Sequence, residues 1–166
     1  MKKIKIAYTE QAKEIYEKNP PRYETEGSVG IDLRAIIEND IILKAGEQKL
    51  INLGIIVDMP ANIKINSESS SDIISLSFRY EMQLRPRSGL ASKFGISLTN
   101  TPATIDSDYK QEVKAIIINH SQDDYTIVRG ERIVQAIFAL ALIPTLEFVD
   151  KIEDTGRGGF GSTGTK

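Results

Sequence analysis

Two aspartates one residue apart and followed by a tyrosine, Thr104-Ile105-Asp106-Ser107-Asp108-Tyr109, are the residues of this 166-residue chain best placed to do chemistry. The stretch lies between Asn100-Thr101-Pro102, which has turn chemistry, and the β-rich run Ala115-Ile116-Ile117-Ile118, so it reads as a hairpin. Along an extended strand alternate residues share a face, which sets Asp106 and Asp108 against Ile105, Ser107 and Tyr109. A tight bend would instead let Asp106 and Tyr109 line one pocket. A calcium loop fits poorly, because its fifth and sixth positions need an oxygen ligand and a glycine, and Lys110 and Gln111 stand there. An isolated pair of this kind is usually a solvated acidic turn, so its neighbours in the chain decide what it does.

Four other stretches carry chemistry. In Gly27-Ser28-Val29-Gly30-Ile31-Asp32-Leu33 a carboxylate sits inside a strand-like run, as a turn or capping group or as a ligand. In Arg85-Pro86-Arg87-Ser88-Gly89-Leu90, Ser88 can cap a short helix whose free N–H groups, with Arg87 beside them, make an anion site. Ser88 as a nucleophile needs a histidine base, and the single histidine, His120, lies in the polar loop 119–124. Gln135 interrupts an apolar strand over residues 133–140, either as a satisfied core amide or as a ligand contact. The tail over residues 154–166 matches the dinucleotide spacing Gly159-x-Gly161-x-x-Gly164, but no helix follows it. Its freed backbone N–H groups with Arg157, Ser162 and Thr163 suit a phosphate clamp, and Phe160 can stack on a base.

These groups must be held by short strands. Alternation marks residues 3–6, and β-rich pieces recur at 36–37, 41–43, 50–53, 54–60, 125–128 and 133–140, which points to an all-β sandwich or barrel. One helix is expected over residues 10–18, stopped by Asn19-Pro20-Pro21. Residues 66–71 are a polar surface excursion, and 73–80 form a strand of their own. With 40% hydrophobic and 27% charged residues, the balance is that of one globular domain. A net charge of -2 argues against a general nucleic-acid binder. No cysteine means no disulfide, thiolate metal site or thiol nucleophile. The start lacks a signal-peptide core and the longest apolar stretch, 136–144, is too short to span a membrane, so a soluble cytoplasmic protein is expected.

In this order the five stretches resemble the trimeric deoxyuridine triphosphate nucleotidohydrolases, the dUTPases. The matches are Gly30-Ile31-Asp32-Leu33, Pro86-Arg87-Ser88-Gly89-Leu90-Ala91, Ile105-Asp106-Ser107-Asp108-Tyr109, Gly130-Glu131-Arg132-Ile133-Val134-Gln135 and Gly159-Phe160-Gly161-Ser162-Thr163-Gly164. The resemblance implies a jelly-roll-like β domain over residues 1–150, closed by a flexible tail over 151–166 that is exchanged within a homotrimer. It implies cleavage of dUTP to dUMP and pyrophosphate with Mg²⁺. By that resemblance Asp106 activates the attacking water, and Asp32 holds the metal through its water shell. Arg87, Ser88, Gly89 and Gln135 hold the phosphates, and Asn100 with the backbone near Thr104, Ile105 and Lys114 reads uracil. Tyr109 packs under the deoxyribose, Phe160 lids the base within Gly161-Ser162-Thr163, and Arg157 meets the triphosphate. The chain departs from the pattern with Ala103 and Gln111 where glycines are usual, and with an insertion over about residues 64–80. Two other readings share the fold: a dCTP deaminase or bifunctional relative, which needs a glutamate base, and a regulatory nucleotide-binding protein that uses the insertion.

Overall fold

The computed structural model describes residues 3–68 and 73–156, and for 66–68 and 73–75 the backbone alone. Twelve strands and two helices alternate along it. They are β1 (Lys5–Tyr8), α1 (Glu10–Lys18), β2 (Gly30–Arg34), β3 (Ile41–Leu43), β4 (Gln48–Asn52), β5 (Ile55–Asp58), β6 (Ile63–Glu68) and β7 (Ile73–Pro86). There follow α2 (Ser88–Phe94), β8 (Ile96–Leu98), β9 (Ala103–Asp106), β10 (Lys114–Asn119), β11 (Tyr125–Ile127) and β12 (Arg132–Leu142). The fold is all-β, as the spacing of the β-rich pieces predicts. Among the described residues no helix is long and apolar enough to cross a membrane.

The largest sheet orders its strands β2-β12-β7-β6, with β9 on the edge of β7 that β6 leaves free. Three smaller sheets, β1-β5, β4-β10-β8 and β11-β3, complete the fold. Strand β7 spans 14 residues, from Ile73 to the Pro86 just before α2. Residues 73–80 are therefore the first half of a continuous strand rather than a separate one. That half is long enough to pair with β6, Ile63 opposite Phe78 and Ile65 opposite Leu76.

Two local expectations are corrected. Residues 103–119 do not form a hairpin, because β9 pairs with β7 while β10 pairs with β4 and β8. Val113, just ahead of β10, bonds to Ile55 and Leu53 instead, and this pulls the second arm into another sheet. Ser88 is the first residue of α2 rather than its cap. Arg87 occupies the cap position, and its carbonyl accepts from Ala91 N at 2.9 Å.

Alternate strand residues fill the interior, including Leu33, Ile51, Ile55, Met82, Leu84, Leu98, Ile117 and Ile127. Each such side chain contributes about 1.5–3 kcal/mol when fully buried. Helix α1 closes one side through Ala12 and Tyr16, and the Tyr16 ring stacks on Tyr8 at 5.0 Å. The Tyr16 hydroxyl donates to the Leu53 carbonyl at 2.8 Å and accepts from Arg34 N at 2.9 Å. Burial pushes its pKa up to about 12.

Candidate active site

Strand β2 alternates buried Ile31 and Leu33 with half-buried Gly30, Asp32 and Arg34. The second set therefore shares one face of the large sheet. Register carries that face across two neighbours: Asp32 lies opposite Gln135 on β12, and Gln135 opposite Arg85 on β7. Arg87 Nε donates to Asp32 Oδ1 at 3.1 Å, and Arg132 Nη1 meets Asp32 Oδ2 at 3.2 Å. Arg87 Nη1 also donates to the Arg132 carbonyl at 3.1 Å. Five N–H groups make up a guanidinium, so Arg87 keeps donors for an incoming anion. Gln135 Nε2 donates to the Pro86 carbonyl at 3.0 Å, which fixes the amide beside Arg87. Gly30 makes room for that amide, because a Cβ there would come within 2.9 Å of Gln135 Oε1. Ser88 and Gly89 lie exposed where α2 begins.

The second cluster gathers at the end of β9. Asp106 is exposed and lies opposite Glu81 of β7, so two carboxylates share a face of the sheet. The chain then turns, with Tyr109 N donating to the Asp106 carbonyl at 3.1 Å. Ser107 is buried, and Asp106 and Asp108 face a cavity of about 540 Å³ that Arg79, Tyr80 and Thr104 also line. Ser107 lines the same cavity, so past the end of β9 the turn overrides the alternation expected of an extended strand. Tyr109 is not part of that lining, and its hydroxyl donates to the Glu112 carbonyl at 3.1 Å. Lys110 caps the turn, donating to the Ser107 carbonyl at 2.7 Å and to Asp58 at 2.8 Å.

Within one chain the two clusters stay apart. The Asp106 cavity contains none of Asp32, Arg87, Ser88, Gly89 or Gln135, and Asp32 lies instead beside Arg34, Arg132 and Glu24. Of the groups expected to read uracil, Thr104 lines the Asp106 cavity and Ile105 packs on the core, while Asn100 and Lys114 are exposed outside it. Arg157, Phe160, Gly161, Ser162 and Thr163 lie outside the described residues. Sequence reasoning did not single out Arg132, Glu81 or Arg79. The signal for the last two was present, since Arg79, Glu81, Gln83 and Arg85 place a polar residue at every second position of an otherwise apolar strand.

Other chemistries lose their support. His120 is exposed, and its backbone N–H bonds to the Gly95 carbonyl, with no hydrogen bond to Ser88. Asn119, in the Asn-x-Ser sequence, is fully buried and its amide is spent on Leu43, Asp123 and Ser121. Among the described residues no three acidic or histidine groups cluster to hold a metal by themselves. Mg²⁺ is commonly held by one or two carboxylates together with substrate phosphates and water, and Asp32, whose two oxygens are met by Arg87 and Arg132, fits that donor set through the metal's water shell.

An all-β protein with an acidic cavity and a separate arginine-framed carboxylate has the charged groups of a hydrolase that acts on anionic esters. The dUTPase family model matches residues 69–164. A Brucella melitensis deoxyuridine 5'-triphosphate nucleotidohydrolase is 48% identical over 149 residues, covering 87% of this chain and 84% of its own. The enzyme of that name from Thermoanaerobacter sp. is 40% identical over 163 residues, 97% of each chain. The dUTPase of Staphylococcus bacteriophage 80alpha, solved with dUPNHPP, superposes with a TM-score of 0.74 at 19% identity and covers 99% of both chains. That of phage phi11 of S. aureus, whose structure visualises a species-specific insert, superposes at 0.69 with 17% identity, covering 92% of this chain and 99% of its own. The chain belongs to the dUTPase family.

Proposed function

We propose that the chain hydrolyses dUTP to dUMP and pyrophosphate, the reaction for which its relatives are named, through a water activated by Asp106. The water gives its proton to the Asp106 carboxylate as its oxygen bonds to the α-phosphorus. The bond from that phosphorus to the bridging oxygen breaks, and pyrophosphate leaves. No covalent nucleophile is needed, because the work is positioning and charge stabilisation. Arg87, Ser88, Gly89 and Gln135 hold the phosphates. Asn100 and the backbone at Thr104, Ile105 and Lys114 read uracil, where a cytosine would leave hydrogen-bonding groups unpaired. Tyr109 packs against the deoxyribose, and Arg157, Phe160, Gly161, Ser162 and Thr163 close over the bound nucleotide. Mg²⁺, held by Asp32 through water, neutralises triphosphate charge.

The observation that carries this reading is the separation of the two clusters on one sheet. Asp106 has a cavity of its own, and the cations that would hold a triphosphate are gathered around Asp32. A site that needs both is completed when a second copy brings its Asp106 turn to the first copy's arginines, which supports a homotrimer with three shared sites. Pyrophosphate release is the test, compared across dUTP, dCTP, dTTP, dATP and dGTP. The parent chain should act on dUTP alone, and Asp106→Asn should lower turnover by about a thousandfold or more while still binding nucleotide, as loss of an essential base does. Equal release from dCTP, or near-parental turnover by Asp106→Asn, would remove the reading.

A further inference from the structure

We propose that Arg79, which belongs to the excursion over residues 64–80, contacts the α-phosphate of the nucleotide on the Asp106 side of the site. This rests on the reading of Asp106 given above and adds a residue outside the five matched stretches.

The Asp106 cavity is strongly acidic. Among the described residues its lining holds three carboxylates, Glu81, Asp106 and Asp108, and one cation, Arg79. A phosphate ester entering alone would meet repulsion from all three, so a cation must offset them. The sheet puts Arg79 where this is needed. Asp106 lies opposite Glu81, and Arg79 is two residues further along β7 on the same face, roughly 7 Å away by strand rise. Beyond Asp106 the β9 ladder ends and the chain turns at Tyr109, so on that edge Arg79 borders the cavity, while β12 pairs with it on the other edge through Ala141.

Among the described residues no other cation lines this cavity. Lys110 is held by Asp58 and the Ser107 carbonyl. Arg85 donates to Gln83 at 2.6 Å, and Gln83 in turn to Glu81 at 2.7 Å. Arg87 and Arg132 belong to the separate cluster around Asp32 and do not line this cavity. The Arg79 side chain is exposed and has no hydrogen-bond or ion-pair partner among the described residues. Its guanidinium can present two parallel N–H groups to phosphate oxygens, the geometry in which arginine binds such anions best. Arg79 thereby belongs to the site, and its backbone is held there by pairing with Ala141 of β12.

The test uses the full chain and inhibition of its dUTP hydrolysis by dUMP, which has the α-phosphate, and by deoxyuridine, which has none. Arg79→Gln should weaken dUMP about tenfold, as loss of one charge-assisted phosphate contact does, and leave deoxyuridine within about twofold. Arg79→Lys should recover part of the dUMP affinity through its point charge. A merely structural role would weaken both inhibitors alike, and that outcome overturns the proposal, as does an Arg79→Gln variant with both constants unchanged. A parent chain inert on dUTP overturns the functional reading and this proposal with it. An active parent with an indifferent Arg79→Gln variant overturns this proposal alone.

Discussion

Replacing Gly30 by alanine separates site geometry from stability more cleanly than any change to a charged group. The added Cβ would stand 2.9 Å from Gln135 Oε1, with Ile137 Cγ1 at 3.5 Å and the Ala136 carbonyl at 3.6 Å in ordinary contact. The only group that must move is the end of the Gln135 side chain, so the fold loses little. Breaking the bond from Gln135 to the Pro86 carbonyl costs about 1 kcal/mol, and alanine in place of a strand glycine returns about 0.5–1 kcal/mol. Net stability should stay within about 1 kcal/mol of the parent. Catalysis is less tolerant. Turning the amide away would displace the phosphate contact proposed for Gln135 by an ångström or so, and misplacement on that scale costs up to about a hundredfold in rate. The assay pairs urea unfolding with pyrophosphate release for Gly30→Ala, Gln135→Ala and the double variant. If Gly30 acts only through Gln135, the double variant should be no slower than Gln135→Ala. Parental kcat/KM in Gly30→Ala, or losses that simply add, would refute the reasoning.

Two further predictions concern the fold around α1. Gly54 has φ +66, and a Cβ there would lie 2.3 Å from Ala12 Cβ and 2.7 Å from Ile36 Cγ1. Left-handed strain and overpacking together should cost Gly54→Ala about 2–5 kcal/mol, read as a lower urea midpoint, and an unchanged midpoint would mean that the helix does not pack as described. The Tyr16 pKa is raised from 10.0 to about 12, so above pH 10 the unfolded chain releases a proton that the folded chain keeps. Stability should therefore fall by roughly 2–3 kcal/mol as the pH rises through 10 to 12, and Tyr16→Phe should flatten that part of the profile. An equal fall in Tyr16→Phe would assign it to other groups.

What could be read from the chain, and what could not, follows from the range of the interactions involved. Helix α1 was legible to its last residue, because its stop signal, Asn19-Pro20-Pro21, is local. So were β2 and β12, where alternation and an apolar run carry the assignment. The pairing of β9 with β7 in place of β10 was not legible. It is decided by Val113 bonding to Ile55 and Leu53, residues more than fifty positions earlier in the chain. For the same reason the expected hairpin was wrong, and the alternation expected past Asp106 gives way to a turn in which Asp106, Ser107 and Asp108 line one cavity. Arg132 was quoted with its motif but given no role, because its link to Asp32 depends on the register between β2 and β12. Arg79 was read inside a separate strand over residues 73–80, and only the unbroken course of β7 brings it beside Asp106.

The claim on which the rest depends is that the carboxylate of one copy works with the phosphate-holding groups of another. Mixing two inactive variants tests it directly: Asp106→Asn, which lacks the base, and Gln135→Ala combined with Arg87→Ala, which lacks the phosphate contacts. After unfolding and refolding together, mixed assemblies should contain sites with both sets intact. Hydrolysis of dUTP should then return to about a quarter of the parental rate by random assortment of shared sites. If the mixture is as inactive as either variant alone, both clusters must act within one chain, and the shared site is contradicted.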